Sequence, residues 1–306
     1  DIIEPAEDDP WLRMTRKRLV AALLAGSVVA VAVGALAMRS VRLEDDVKIM
    51  AHRGSSKAAP ENTMAAFQKA VEEGAEWIEL DVQETADGEV VVFHDADFMR
   101  FARNELKIWD ATMDDLKDID IGSWFAPEFK DERVPTLADV LDEFKGKARI
   151  NIELKYYGHD QELEKRVVEV VESLDMASDI MVMSLNAEGN QKIKALRPGW
   201  KVGQLMSVAV GDLNKIETDF LGVNAGFANR RIIRSAHAGG MDFYVWTVND
   251  GPTMSAMMSR GVDGILTDKP ALALKVLEQR AQMSAPERLL LELAAVLGAT
   301  PEMGEL

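Results

Sequence analysis

The chain of 306 residues contains no cysteine. Disulfides, thiolate zinc sites and a cysteine nucleophile are therefore excluded, and the absence fits any compartment. Positive charge is also scarce, with 35 Lys and Arg against 52 Asp and Glu and a formal charge of −17. No Lys/Arg-rich stripe runs through the body of the chain, so no nucleic-acid partner is expected. An acidic protein that handles an anion must gather its few cations locally, which draws attention to Arg53. Histidine is rare too, with 4 in all. Apolar residues are plentiful at 47%, ample for a buried core in one large domain or two modest ones.

Residues 19–38, LVAALLAGSVVAVAVGALAM, carry no charge. A helix of that length is about 30 Å long, the thickness of a bilayer's hydrocarbon. It is longer than the apolar core of a signal peptide usually is, and a buried core helix rarely runs so far without a charge. A transmembrane helix is expected. Arg13, Arg16, Lys17 and Arg18 precede it, while Arg39 and Arg42 and then Glu44, Asp45 and Asp46 follow. That asymmetry places residues 1–18 in the cytoplasm and the rest at the cell membrane's extracytoplasmic side. The chain begins at Asp1 rather than methionine, which leaves room for further spans upstream.

Residues 47–275 alternate short β-branched runs with amphipathic helical stretches, the pattern of a parallel sheet with helical crossovers. The runs VKIMA, WIELDV, EVVVFH, ARINIEL, DIMVMS, KVGQLM, DFLGVN, DFYVWTV and VDGILT are the strand candidates. The link ETADGE, after the second, is too short for a crossover helix, and Asp87-Gly88 signals a hairpin. Pairing across it sets His94 opposite Leu80. With that hairpin set aside, about eight parallel strands remain, so a closed (β/α)8 TIM barrel is expected, with an open doubly wound sheet as the competing fold. Thr63 and Thr136 mark helix starts, and Gly74, Gly146, Gly240 and Gly261 mark ends. Residues 95–135 read as an excursion over one face, and 276–306 as a helical tail with a Leu-rich stretch, APERLLLELAAVL, expected to pack on the barrel.

The polar residues that finish apolar strands carry the chemistry. His52-Arg53 ends the first, Glu79 and Asp81 lie in the second, His94-Asp95 ends the third, and Glu153 and Lys155 lie at the fourth. Parallel barrel strands open onto one face. Glu79 and Asp81, two apart on a strand, point the same way and repel unless a cation or proton intervenes. With Glu153 they offer a hard oxygen set suited to Mg²⁺ or Ca²⁺. His52 and His94 suit acid/base work near neutrality. Arg53 and Lys155 suit phosphate oxygens. His159 and His237 read as surface and structural residues, Trp246 as core or as a wall of the site, and Asp268 as a cap or a partner of Arg or Lys.

The motifs AHRG, PENTMAAF, IELDVQETADGEVVVFHD, NIELK, VWTVND and GVDGILTDKP, in that order, resemble the glycerophosphodiester phosphodiesterase family. The resemblance implies a TIM barrel, a divalent cation and cleavage to glycerol 3-phosphate and an alcohol. It implies that His52 and His94 are the acid/base pair and that Glu79, Asp81 and Glu153 are metal ligands. Arg53 and Lys155 would contact phosphate, with Glu61 and Asn62 supporting the site. The stretch HDADFMRFARNEL departs from the family's usual Leu-x-Arg-Thr pattern, which leaves the alcohol open. A lysophospholipase D or phospholipase C-like activity on membrane lipids is the related alternative. A non-catalytic lipid-headgroup binder is the alternative of another class.

Overall fold

The structure is a computed structural model. It describes residues 22–27, 45–159, 161–209, 213, 216–284 and 286–290. Strands are β1 (Lys48–His52), β2 (Trp77–Glu84), β3 (Val90–Val92), β4 (Asp97–Phe98), β5 (Asn104–Lys107) and β6 (Arg149–Leu154). They continue with β7 (Ile180–Ser184), β8 (Val202–Met206), β9 (Phe220–Asn224), β10 (Asp242–Trp246) and β11 (Gly264–Thr267). The main sheet runs β1-β11-β10-β9-β8-β7-β6-β2, and β1 also pairs with β2, so the parallel sheet closes into an eight-stranded barrel. β2 outruns β1, and the edge that β1 leaves is taken by β3, antiparallel, with Val82, Gln83 and Glu84 opposite Val92, Val91 and Val90. The sequence-expected hairpin has this register.

Alternation along each strand divides the core. Ile78, Leu80 and Val82 point outward and pack under helices with Ile150, Ile152 and Leu154. Met50, Trp77, Met181, Met183, Leu205, Phe220, Tyr244 and Leu266 form a separate cluster inside the barrel. Space there is tight: a Cβ on Gly203 would lie 2.0 Å from the Phe220 ring. Thr63 and Thr136 cap the helices Met64–Glu72 and Leu137–Phe144 through side-chain oxygens that accept backbone N–H bonds. One crossover helix, Ala187–Leu196, lacks a strong apolar stripe; only Gly189, Asn190 and Ile193 are buried.

The excursion after β3 is more than a loop. β4 and β5 pair as a short antiparallel ribbon, and Phe93, Phe98, Phe101, Ile108, Leu116 and Ile121 build a local apolar core beneath it. The last crossover helix runs Pro270–Gln282, across the 275/276 boundary read from the sequence, and buries Ala273, Val276 and Arg280. At the barrel's N-terminal end Asp45 accepts bonds from Arg280 Nε at 2.8 Å and from Arg288 Nη1 at 2.6 Å. The start of the tail is thus fastened to the segment that enters β1. The remainder of the tail lies outside the described residues. So does the expected membrane span at 19–38 apart from 22–27, which are helical and exposed. Among the described residues no helix is long and apolar enough to cross a membrane.

Candidate active site

The strand C-termini bring the predicted residues to one mouth. Inward parity carries Glu79 and Asp81 into the barrel beside Glu153 of β6, whose register sets it opposite Asp81. One carboxylate oxygen from each of the three lies within 4.8 Å of the others, and all three residues are buried. Glu79 Oε1 is a buried oxygen with no hydrogen-bond partner, whereas Oε2 accepts the Arg53 N–H at 2.9 Å. An orphaned carboxylate oxygen among hard donors is the arrangement that a divalent cation satisfies.

The electrostatics show the same demand. Burial first, and then the Asp81 charge, push the Glu79 carboxyl well above its ordinary range. Burial and Asp81 likewise raise Glu153. Asp81 goes the other way: burial opposes its charge, but Arg53, His94 and Lys155 together with a 2.8 Å bond from Asn62 Nδ2 hold it down. Three adjacent acids cannot all be ionised comfortably here without added positive charge.

Sharp backbone turns place the first-strand residues. Arg53 and Asn62 adopt left-handed conformations at φ 56° and 55°, and Gly54 follows at 82°. Gly54 has no room for a side chain, since a Cβ there would sit 2.6 Å from the Ala66 carbonyl carbon. The turn sets Arg53 Nη1 2.8 Å from Glu61 and Nε 3.1 Å from Asp81 Oδ2, the latter an ion contact out of hydrogen-bond line. Lys155 Nζ lies 3.0 Å from Glu153. Both cations also line the cavity, so they can reach an anion from the acids they already touch.

Each histidine has an aspartate behind it. His52 Nδ1 is 2.7 Å from Asp268, whose other oxygen accepts Asn249 Nδ2 at 2.7 Å. His94 Nδ1 is 2.7 Å from Asp95. Such pairs fix the tautomer and leave Nε2 for the cavity. Burial opposes the charge on His52, but Asp268 and Glu79 outweigh it and raise its pKa. Arg100 links the two halves: Nε bonds Asp95 at 2.8 Å while Nη1 and Nη2 bond Glu61 at 2.9 and 2.6 Å. Gln83 Nε2 donates to the carbonyls of Phe93 and Asp95 at 2.8 Å each and so pins the turn that carries His94.

The cavity measures about 160 Å³. Its ionic side is His52, Arg53, Glu79, His94, Glu153 and Lys155. Its other side is Met183, Leu185, Leu205, Trp246 and Leu266. Trp246 is therefore a wall of the site, held by its indole N–H donating to Gly222 C=O at 3.0 Å. His159 is not in the cavity; it stacks on Trp109 at 4.3 Å between ring centroids. His237 pairs with Asp263 at 2.7 Å, far from the mouth. Asp268, read from the sequence as a cap or a partner of Arg or Lys, does lie 3.8 Å from Lys57, but its place behind His52 was missed, as were Asp95, Arg100 and Gln83 as supports. The first two had a signal, an aspartate at or just past a strand end next to a histidine-bearing strand, but Arg100 and Gln83 are linked to the site only by folding.

A closed parallel barrel with paired His-Asp units beside clustered acids at its C-terminal mouth defines a hydrolase of the barrel class. Residues 52–272 match the model of the glycerophosphoryl diester phosphodiesterase family. The chain is 34% identical over 234 residues to YhdW of Bacillus subtilis, covering 74% of this chain and 96% of that one. It is 32% identical to the glycerophosphodiester phosphodiesterase of Caldanaerobacter subterraneus, covering 72% and 94%. The structure superposes on a phosphodiesterase of Oleispira antarctica in complex with the product sn-glycerol-3-phosphate, with a TM-score of 0.71, 27% identity and coverage of 79% and 99%. The chain belongs to the glycerophosphoryl diester phosphodiesterase family and is an enzyme of that kind.

Proposed function

We propose that the chain hydrolyses glycerophosphodiesters to glycerol 3-phosphate and an alcohol, using a divalent cation and two histidines of complementary role. The observation that carries this reading is the meeting, at one small cavity, of two aspartate-backed histidines with Glu79 and Glu153, which with Asp81 behind them form the three-acid cluster. Glu79, Asp81 and Glu153 would hold Mg²⁺ or Ca²⁺, with Asn62 and Glu61 bracing Asp81 and Arg53. When bound, the ion supplies Lewis-acid polarisation of the phosphoryl group.

Arg53 and Lys155 hold the non-bridging oxygens, where charge accumulates in the transition state. One histidine accepts a proton from the attacking hydroxyl through Nε2, and the other donates a proton to the departing alkoxide. The attacker is water or the substrate's own glycerol 2-hydroxyl; in the second case water then opens the cyclic phosphate. A coupled glycerol 3-phosphate assay across headgroups, with and without chelator, tests the reading. Turnover should vanish with chelator and return with Mg²⁺ or Ca²⁺. A rate indifferent to chelation would remove the cation from the account.

We also propose that residues 19–38 anchor the enzyme in the cell membrane with the barrel on the extracytoplasmic side. The uncharged run and the basic residues before it support this. Protease treatment of intact cells should degrade the barrel, and full protection would reverse the orientation.

A further inference from the structure

Another cavity, of about 300 Å³, opens at the end of the barrel opposite the catalytic mouth. Asp45, Asp46 and Val47, which lead into β1, line it together with Asp263, which leads into β11. So do Arg230 and Arg234 of the helix Arg230–Ala238, and Arg260 and Arg280. Four arginines thus share one space in a chain whose formal charge is −17. Two of the three acids there are already answered. Asp45 is held by Arg280 and Arg288. Asp263 pairs with His237 at 2.7 Å and accepts the Phe243 N–H at 2.7 Å. The third, Asp46, is exposed to water. Arg260 Nη1 donates to the Ala228 carbonyl at 2.7 Å, and Arg234 Nε donates to the Arg230 carbonyl at 3.1 Å. Neither of these two guanidinium groups pairs with an acid among the described residues. Arg231, three positions before Arg234 on the same helix, is exposed beside it.

The uncharged run 19–38 ends six residues before Asp45. Such a link spans at most about 25 Å. With that run in a bilayer, the Asp45 end of the barrel lies within about that distance of the lipid surface, and the arginine-lined cavity lies at the same end. We propose that this cavity and the exposed face of its helix rest on a bilayer surface of anionic lipids, with a headgroup phosphate entering beside Arg234 and Arg260. This rests on the anchoring reading given above. Guanidinium forks suit phosphate oxygens, and each arginine held near an anionic surface strengthens the attachment about fivefold. The catalytic mouth, at the strands' other ends, then faces away from the bilayer and draws its diesters from the aqueous phase.

The test places the full chain in lipid nanodiscs and reads the nearness of a bimane label to the surface by its quenching with a nitroxide-headgroup lipid. The chain has no cysteine, so A238C, exposed at the end of the helix, supplies a unique thiol, and E188C, exposed at the mouth, supplies one in a second protein. Quenching at position 238 should be about fivefold greater in discs rich in phosphatidylglycerol than in phosphatidylcholine alone, and high salt should remove the difference. Position 188 should stay unquenched in both. The double variant R231S/R234S, at two exposed positions, should abolish the lipid difference while glycerophosphocholine turnover is unchanged. Equal quenching at position 238 in the two lipids overturns the inference. So does stronger quenching at position 188 than at 238, or a lipid difference that survives R231S/R234S. Extraction of the full chain from vesicles by alkaline carbonate would remove the anchor and this inference with it, whereas a carbonate-resistant chain that fails the quenching test loses the docking face alone.

Discussion

Two clusters of buried charge lie at opposite ends of the same barrel, and they are built on opposite principles. At the N-terminal end Asp45 is clasped by Arg280 and Arg288, with side chains of Asp45 and Arg280 only 6% and 2% exposed. Burial works against its charge, but the two guanidinium groups overcome that and lower its pKa. At the C-terminal mouth Glu79, Asp81 and Glu153 face one another, and Glu79 retains an unpartnered oxygen and a raised pKa. The first cluster answers its one carboxylate with two guanidinium groups of the same chain and fastens the entry of β1 to the last helix and tail. The second leaves one carboxylate oxygen without a protein partner, a place suited to a cation. A buried charge with its partners reads as architecture; buried charges set against one another read as a site.

The largest expected effects separate these two clusters. Glu79→Ala should lower kcat/KM by about 10³-fold or more and abolish divalent-cation binding in calorimetry, with the fold kept. Asp45→Ala should do the reverse, lowering stability by about 3–5 kcal/mol in denaturant melts by removing the carboxylate that two buried arginines share, with kcat intact in the folded fraction. If Glu79→Ala instead unfolds the protein, or if Asp45→Ala is silent in the melts, the contrast fails.

Within the mouth, His94→Ala should cost about 10²–10⁴ in kcat and leave cation affinity unchanged. Equal loss of cation binding would make His94 part of the metal cluster rather than a proton carrier.

Asp268→Asn should act through the pH profile. Asp268, held down to about 2, stays ionised at all working pH and keeps the proton on His52 to higher pH than usual. Asparagine lacks the charge, so the His52 pKa falls and the limb of the kcat/KM profile that it governs moves to lower pH. Movement of the alkaline limb identifies His52 as the acid, and movement of the acid limb identifies it as the base. A profile unmoved at both limbs would detach Asp268 from His52.

Arg100→Ala should have the smallest effect, about tenfold in kcat/KM, because Arg100 only positions Asp95 and Glu61. Partial rescue by Arg100→Lys is not expected, since a point charge cannot bond both carboxylates as the guanidinium fork does.

Much of this was legible in the chain. Period-two runs such as WIELDV and INIEL fixed which residues point inward, because a strand allows only two faces. The turn at Asp87-Gly88 fixed the β2–β3 register, because a two-stranded turn leaves little choice of pairing. Helix starts at Thr63 and Thr136 were local matters of capping. The residues that could bind cation, phosphate or proton were visible as strand-end polar groups. Their supports were harder to see. Asp268 lies 216 positions from His52, and Arg100 lies 39 from Glu61. The excursion, long, charged and carrying Trp109 and Trp124, read as a crossing over one face; only packing turned Phe98, Phe101 and Ile108 within it into part of a core with Phe93.

By itself, then, the sequence settled what is local or periodic: which strands build the barrel, which face their side chains take, and which residue types can do chemistry. Tertiary structure alone decided what depends on closure of the ring. It brought β1 against β11 so that Asp268 could stand behind His52, and left one Glu79 oxygen without a protein partner. The physical reason is that strand identity is set by neighbours along the chain, whereas burial, pairing and the field at a carboxylate are set by neighbours in space.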